Sequence, residues 1–245
     1  MPIHLELDAA DRVATVTIDR THRRNALNLE TLEELHRAVA TALADGARAV
    51  VLTGAEGHFC SGADLTELED VSFAARLAEV LDHLAAAPVT TVAAIEGSCM
   101  GLGMQLAVAC DLRVVGPAAR FAVPVARLGL MVDHWTLDRV ARCWGDGAAR
   151  LMVLTAAVLD TDDAWRLGFA QQLGSLADAQ ALARRASALA PLTQAGSKMG
   201  LDTHHDDATA LARYEAAFAR AWASEDLTEG RRAFGERRSP VFGGR

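Results

Sequence analysis

The sequence predicts an α/β fold that gives way to a helical C-terminal part, on three observations. Strand-like and helix-like segments alternate through roughly the first 120 residues, as βα units around a shared sheet do. After about Trp135 the strand signals stop and helical periodicity takes over. Of the 245 residues 51% are apolar, which suffices for one large core, or one core and a smaller appendage.

The elements follow in order. Ile3 to Leu7 and Val13 to Ile18 alternate polar and apolar residues around DAADR, the pattern of a hairpin. From Asn28, a plausible N-cap, Leu32, Leu35, Val39 and Leu43 form the stripe of an amphipathic helix. ARAVVLTG is a short β-branched run closed by glycine. A second helix is expected from about Ser72 to Ala86, then Pro88 and a buried strand in VTTVAAIEG. LGMQLAVAC reads as helix and LRVV as strand. Helices are expected near 135–144, 147–156, 162–168, 176–190 and 204–222; ADAQALARRASALA is built of helix formers with Leu at helical spacing.

Composition bounds the partners. Twenty-four Lys and Arg against 32 Asp and Glu leave a net charge of −8, and no basic stripe runs along the chain, so nucleic acid is not an expected partner. The densest basic cluster, Arg231, Arg232, Arg237 and Arg238, reads as a solvated helix face, with a phosphate as the alternative. Cys60, Cys99, Cys110 and Cys143 show no CxxC spacing and lie among apolar residues, as buried free thiols of a reducing compartment do. MPIHLELD has no basic segment followed by an apolar one, and no apolar run reaches the roughly 18 residues of a membrane span. A cytoplasmic location is expected. His204, His205, Asp206 and Asp207 imitate a metal cluster, but adjacent residues of one helix cannot all face one ion, so a helix start and no metal are expected.

One internal echo bears on chemistry. VVLTG is followed by HFCSGADL, and VAAIEG by CMGLGMQL; each is a buried strand, a glycine, then a small-residue turn toward a possible helix. Helix starts leave backbone N–H groups without partners. Two such turns side by side could aim two donors at one oxygen, forming an oxyanion hole, or could simply close two strand–helix connections.

RRNALN, VVLTG, FCSGADL, AAIEG, LAVACDLRV and ARFAVP, in this order and spacing, resemble the enoyl-CoA hydratase/isomerase (crotonase) superfamily, and ERRSPVF resembles its C-terminal end. The likeness extends over nearly the whole chain; SGADL with GxxxGxGxxLAxxCD is its specific part. It implies a crotonase (ClpP-like) spiral of ββα repeats over residues 1–190 and a helical oligomerisation subdomain over 191–245, assembling trimers or hexamers. It implies an acyl-CoA thioester as ligand and no further cofactor. The thioester oxygen would be held by the N–H groups of Ala63 and Leu102, a position more commonly glycine, beside Gly62 and Gly101. Arg23 or Arg24 would lie near phosphate, Ala26 and Leu27 near adenine, with Asp64 and Leu65 bounding the groove.

The departures from that pattern decide the chemistry. Hydratases of the family place two glutamates in the pocket, to activate water and to deliver a proton. Here one position holds Gln105 and the other, in FAVPV, holds Val125. An amide exchanges no proton near neutral pH and valine offers nothing polar. Trp135 replaces a small residue and is expected to reshape an apolar acyl pocket, with Met100, Met104 and Met131 in the core or that channel. Asp133 is open to two readings: a cap for the helix that follows, or, buried near Trp135 and Met131, an acid/base. The pattern is closest to actinobacterial, including mycobacterial, members that lack the hydratase glutamates and bind acyl-CoA, which makes lipid-synthesis proteins candidate partners. The leading expectation is a thioester binder without hydratase activity. The alternatives are an isomerase or thioesterase using Asp133, and a weak hydratase.

Overall fold

The computed structural model describes residues 2–66, 71–203 and 207–245. The chain opens on the expected hairpin, β1 (Ile3–Asp8) antiparallel to β2 (Val13–Ile18). The sheet then grows by parallel addition: β3 (Ala49–Gly54) on β2, β4 (Thr90–Ile95) on β3, and β6 (Leu112–Val115) on β4. Parallel neighbours require crossovers; α1 (Leu29–Ala44) and α2 (Val71–Ala85) supply two of them. Asn28 caps α1, its side chain accepting the Thr31 N–H.

Alternation along β3 separates two cores. Val50 and Leu52 face Leu32 and Leu35 of α1 and Leu81 and Leu84 of α2. Ala49 and Val51 face the other way, with Val92, Val114 and Ala179 and Ala183 of α7 (Leu176–Ser187). A sheet covered on both sides needs strands that are apolar throughout, which is why AVVLTG shows no polar face.

A second, three-stranded sheet of β5 (Ser98–Met100), β7 (Arg120–Ala122) and β8 (Leu159–Asp160) lies across the glycine-rich stretch. It feeds α3 (Leu102–Ala109), every residue of which is buried. Then come α4 (His134–Trp144), α5 (Asp146–Thr155), α6 (Thr161–Arg166), α8 (Pro191–Asp202), α9 (Ala208–Trp222) and α10 (Glu225–Glu236). Polar ties hold the last helices to the core: Lys198 to Asp111 at 2.9 Å and Arg139 to Asp202 at 2.8 Å.

The structure corrects the sequence reading in several places. Strands do not stop at Trp135: β8 and β9 (Gln172–Leu173) follow, each too short to show a pattern. The helix expected over 176–190 ends at Ser187, and α8 starts separately with Pro191 in its first turn. The last helix, α10, went unforeseen; its sequence EDLTEGRRAFGE is mostly polar, and Ser224 caps it. The α9 helix begins at Ala208 with Asp207 as its cap, while His204, His205 and Asp206 lie outside the described residues. Of the basic cluster, Arg232 and Arg238 are spent on Glu229, at 2.5 and 2.6 Å. Among the described residues no three side chains are grouped as a metal site, and no helix is long and apolar enough to cross a membrane.

Candidate functional site

The two glycine turns meet, but they are built differently. Cys60 and Cys99 pair as a parallel bridge, the Cys60 N–H donating to Ser98 O and the Met100 N–H to Cys60 O. Beyond it the first turn does not enter a helix. Leu27 donates to Gly62 O at 3.0 Å and accepts from the Asp64 N–H at 2.8 Å, so Ala63 lies on an extended segment. In a parallel bridge the residue between the two bonded groups points its own N–H to the opposite side. Among the described residues that N–H donates to no protein acceptor.

The second donor is a helix start. Gly101, at φ 52° and ψ −110°, makes a turn closed to residues with a side chain, and Leu102 is the first residue of α3. Its N–H is one of the orphan donors of a helix N-terminus and has no protein acceptor among the described residues. A Cβ on Gly103 would come within 2.2 Å of Cys60 O, so only glycine lets α3 approach the first turn this closely. Leu102 itself is buried, its side chain part of the main core.

The arm and loop beside Ala63 are tied by charge. Arg20, buried, donates from one terminal nitrogen to Ala26 O at 2.6 Å and from the other to Asp64 Oδ2 at 3.3 Å. Thr66 donates its hydroxyl to Asp64 Oδ1 at 2.7 Å. The Thr66 hydroxyl and N–H, then Arg20 and Arg23, hold the Asp64 carboxyl below its ordinary value against the opposing cost of burial. Asp64 therefore braces the loop from within instead of lining a groove. Leu65 is exposed, Ala26 and Leu27 are buried, and Gly62 is buried at φ 124°. Arg23 reaches Asp64 at 4.0 Å from an exposed position, and Arg24, also exposed, is left-handed at φ 49°. Ser61 anchors this double-arginine turn, its hydroxyl donating to Arg23 O and its N–H to Arg24 O.

The two positions at which the resemblance implies acids carry none. Gln105, buried on α3, donates its Nε2 to Thr136 Oγ1 of α4 at 2.8 Å. Thr136 is fully buried, and its N–H donates to Asp133 Oδ1 at 3.0 Å. Asp133 is thus the N-cap of α4 and is exposed, where the acid/base reading needed it buried. Met131, expected to bury it, is 89% exposed, whereas Met104 is in the core. Val125 lies half-buried in a short 3-10 turn, Pro124–Leu128, packed against the core. Trp135 is half-buried with the Arg139 guanidinium 4.8 Å over its ring, at a cleft of about 600 Å³ bounded by Pro88, Lys198 and Met199.

The cysteines are free; three are buried and Cys143 is half-buried, a partial departure from expectation. Burial pushes the Cys60 and Cys110 thiols up to about 12, which leaves them without thiolate character. Sequence reasoning missed Arg20, Thr66 and Thr136. Arg20 and Thr136 act on partners 44 and 31 positions away, Asp64 and Gln105, whereas Thr66 acts on Asp64 two positions away, a local pair that the sequence reading passed over.

The sequence profile described as "Enoyl-CoA hydratase/isomerase" matches residues 8–245. A protein of Mycobacterium tuberculosis carrying the name enoyl-CoA hydratase echA6 is 40% identical over 236 residues, spanning 96% of this chain and 97% of its own. YngF of Bacillus subtilis, named for enoyl-CoA hydratase/isomerase, is 33% identical over 253 residues, spanning 96% of this chain and 95% of its own. Among solved structures, an enoyl-CoA hydratase/isomerase family protein from Hyphomonas neptunium is similar at a TM-score of 0.90 and 31% identity, over 100% of this chain and 98% of that one. One from Mycobacterium abscessus is similar at 0.85 and 30%, over 99% and 100%.

Proposed function

The chain belongs to the enoyl-CoA hydratase/isomerase family and has its crotonase fold, and we propose that within it this protein binds an acyl-CoA thioester without hydrating it. One pattern supports the reading: the N–H groups of Ala63 and Leu102, on two adjoining turns, have no protein acceptor among the described residues, while the positions for acids hold an amide engaged by Thr136 and a valine. The Ala63 and Leu102 N–H groups would hold the thioester oxygen, each donor worth about 3 kcal/mol once charge develops there. Arg23 and Arg24 on their exposed turn suit the CoA phosphates, by charge-assisted bonds. Gln105 can orient a group but cannot take a proton, and the Asp133 cap speaks against an isomerase built on it.

Exposed Phe218 and Trp222 on α9 and Phe234 on α10 support assembly of copies through the C-terminal helices, as trimers or hexamers. A binder of this kind would present acyl chains to lipid-synthesis proteins in the cytoplasm. The test is calorimetry with saturated and 2-enoyl CoA thioesters of one chain length, beside an absorbance assay of enoyl-CoA turnover. Binding of both without turnover is expected. Turnover at ordinary hydratase rates, or no binding of either thioester, overturns the proposal.

A further inference from the structure

Resting on the reading that Ala63 and Leu102 hold a thioester oxygen, we infer that Arg113 is a positioning residue that biases this site toward the anionic form of its ligand, acting along α3 from its far end. Arg113 is buried, at 6% exposure, just past the C-terminus of α3. Its guanidinium donates to Phe169 O at 2.8 Å, Cys110 O at 3.0 Å, Asp111 O at 3.3 Å and Ala107 O at 3.4 Å. It lies 5.1 Å over the Phe169 ring. Every one of these acceptors is neutral, and among the described residues Arg113 belongs to no ion pair. The adjacent Asp111 carboxylate is taken by Lys198 at 2.9 Å and by the Thr91 N–H at 2.7 Å.

Arg139 is the internal contrast. It too donates to a carbonyl at this end of α3, Val108 O at 3.3 Å, but Asp202 neutralises it at 2.8 Å. The last turn of α3 is thus held by two guanidinium groups, of which one is charge-balanced and one is not. A buried cation matched only with neutral acceptors is a costly feature. Its potential is positive at Leu102, in the same sense as the helix dipole. From Cys110 to Leu102 the helix rise gives about 12 Å. Every residue of α3 is buried, so solvent screens the path little. At that distance and an effective dielectric near 20, one charge changes an ionisation equilibrium by about tenfold.

The ionisation that reads this out is loss of the α-proton from a 3-oxoacyl thioester. The C–H bond breaks, its electron pair delocalises onto the oxygen facing Ala63 and Leu102, and the proton passes to buffer. The experiment follows the near-ultraviolet enolate absorbance of acetoacetyl-CoA bound to the full chain, titrated with pH. Arg113→Met is expected to lower the enolate fraction about tenfold at a given pH, while Arg113→Lys restores most of it and the paired variant Arg139→Met/Asp202→Asn, which removes a cation together with its anion, changes little. Saturated acyl-CoA, whose acyl group does not ionise in this pH range, should bind all folded variants alike. If Arg113→Met does not fold, Arg113→Gln, which keeps two donors, takes its place.

The inference is overturned if the charge-removing variant ionises the ligand as wild type does, or if Arg113→Lys falls as far as it does. It is also overturned if wild type binds acetoacetyl-CoA without favouring its enolate over that of the free ligand. If wild type binds no acyl-CoA at all, the thioester reading itself has failed.

Discussion

The two walls of the candidate site are made of different material. The Ala63–Leu102 wall offers backbone N–H groups, fixed by a parallel bridge on one side and a helix start on the other. The Gln105–Val125–Asp133 wall could offer only side chains. A main-chain donor survives any substitution that leaves the fold alone, which is why leucine can stand at position 102. A side-chain acid is removed by a single replacement, and the side chains present on this wall make structural bonds. Gln105 links α3 to α4 through Thr136, and Asp133 caps α4. Binding is therefore the property this framework retains most easily, and proton transfer the one it loses first.

The largest effect should come from breaking the backbone wall. Gly103→Ala places a Cβ 2.2 Å from Cys60 O, where neither main chain can yield without moving the turn. A cost of about 3 kcal/mol is expected, seen as a fall in Tm of about 6–12 °C together with loss of thioester binding in calorimetry. Unchanged Tm and binding would show that the donors do not depend on this close approach.

The acid wall can be rebuilt. Gln105→Glu with Val125→Glu restores two carboxylates, and turnover of enoyl-CoA should rise about 100-fold over wild type, at the low end of what one placed acid or base contributes. Either substitution alone should give little, because addition of water needs both a base and a proton donor. A double variant that binds thioester but stays inactive would mean that the pocket's shape, and not only its acids, has diverged.

These expectations also mark what the sequence discloses. The run AVVLTG, the Asn28 cap and the Leu32–Leu35–Val39 stripe were readable because each signal is local and repeats at the element's own period. The strands β5, β7, β8 and β9 were not, since two or three residues carry no period and exist only through their neighbours. The site divides the same way. The missing acids were visible as residue identities in motifs, while the echo of the two turns suggested a pair of donors and only the family resemblance pointed to Ala63. What orients it, the bridge to Leu27 and the Arg20–Asp64 contact, joins residues 36 and 44 positions apart and is created by folding.

The smallest effect tests the side-chain wall at its most tempting residue. Asparagine caps a helix about as well as aspartate, because either side chain can accept the N–H that Thr136 offers at 3.0 Å. Asp133→Asn should therefore leave Tm, thioester binding and any residual turnover where they are. Asp133→Ala removes the acceptor and should cost about 1 kcal/mol, a fall in Tm of about 2–4 °C, again without a change in turnover. The pair separates charge from cap. If Asp133→Asn abolishes a measurable turnover while Tm holds, the carboxylate is exchanging a proton, and the contrast between a retained binding wall and a lost catalytic wall no longer stands.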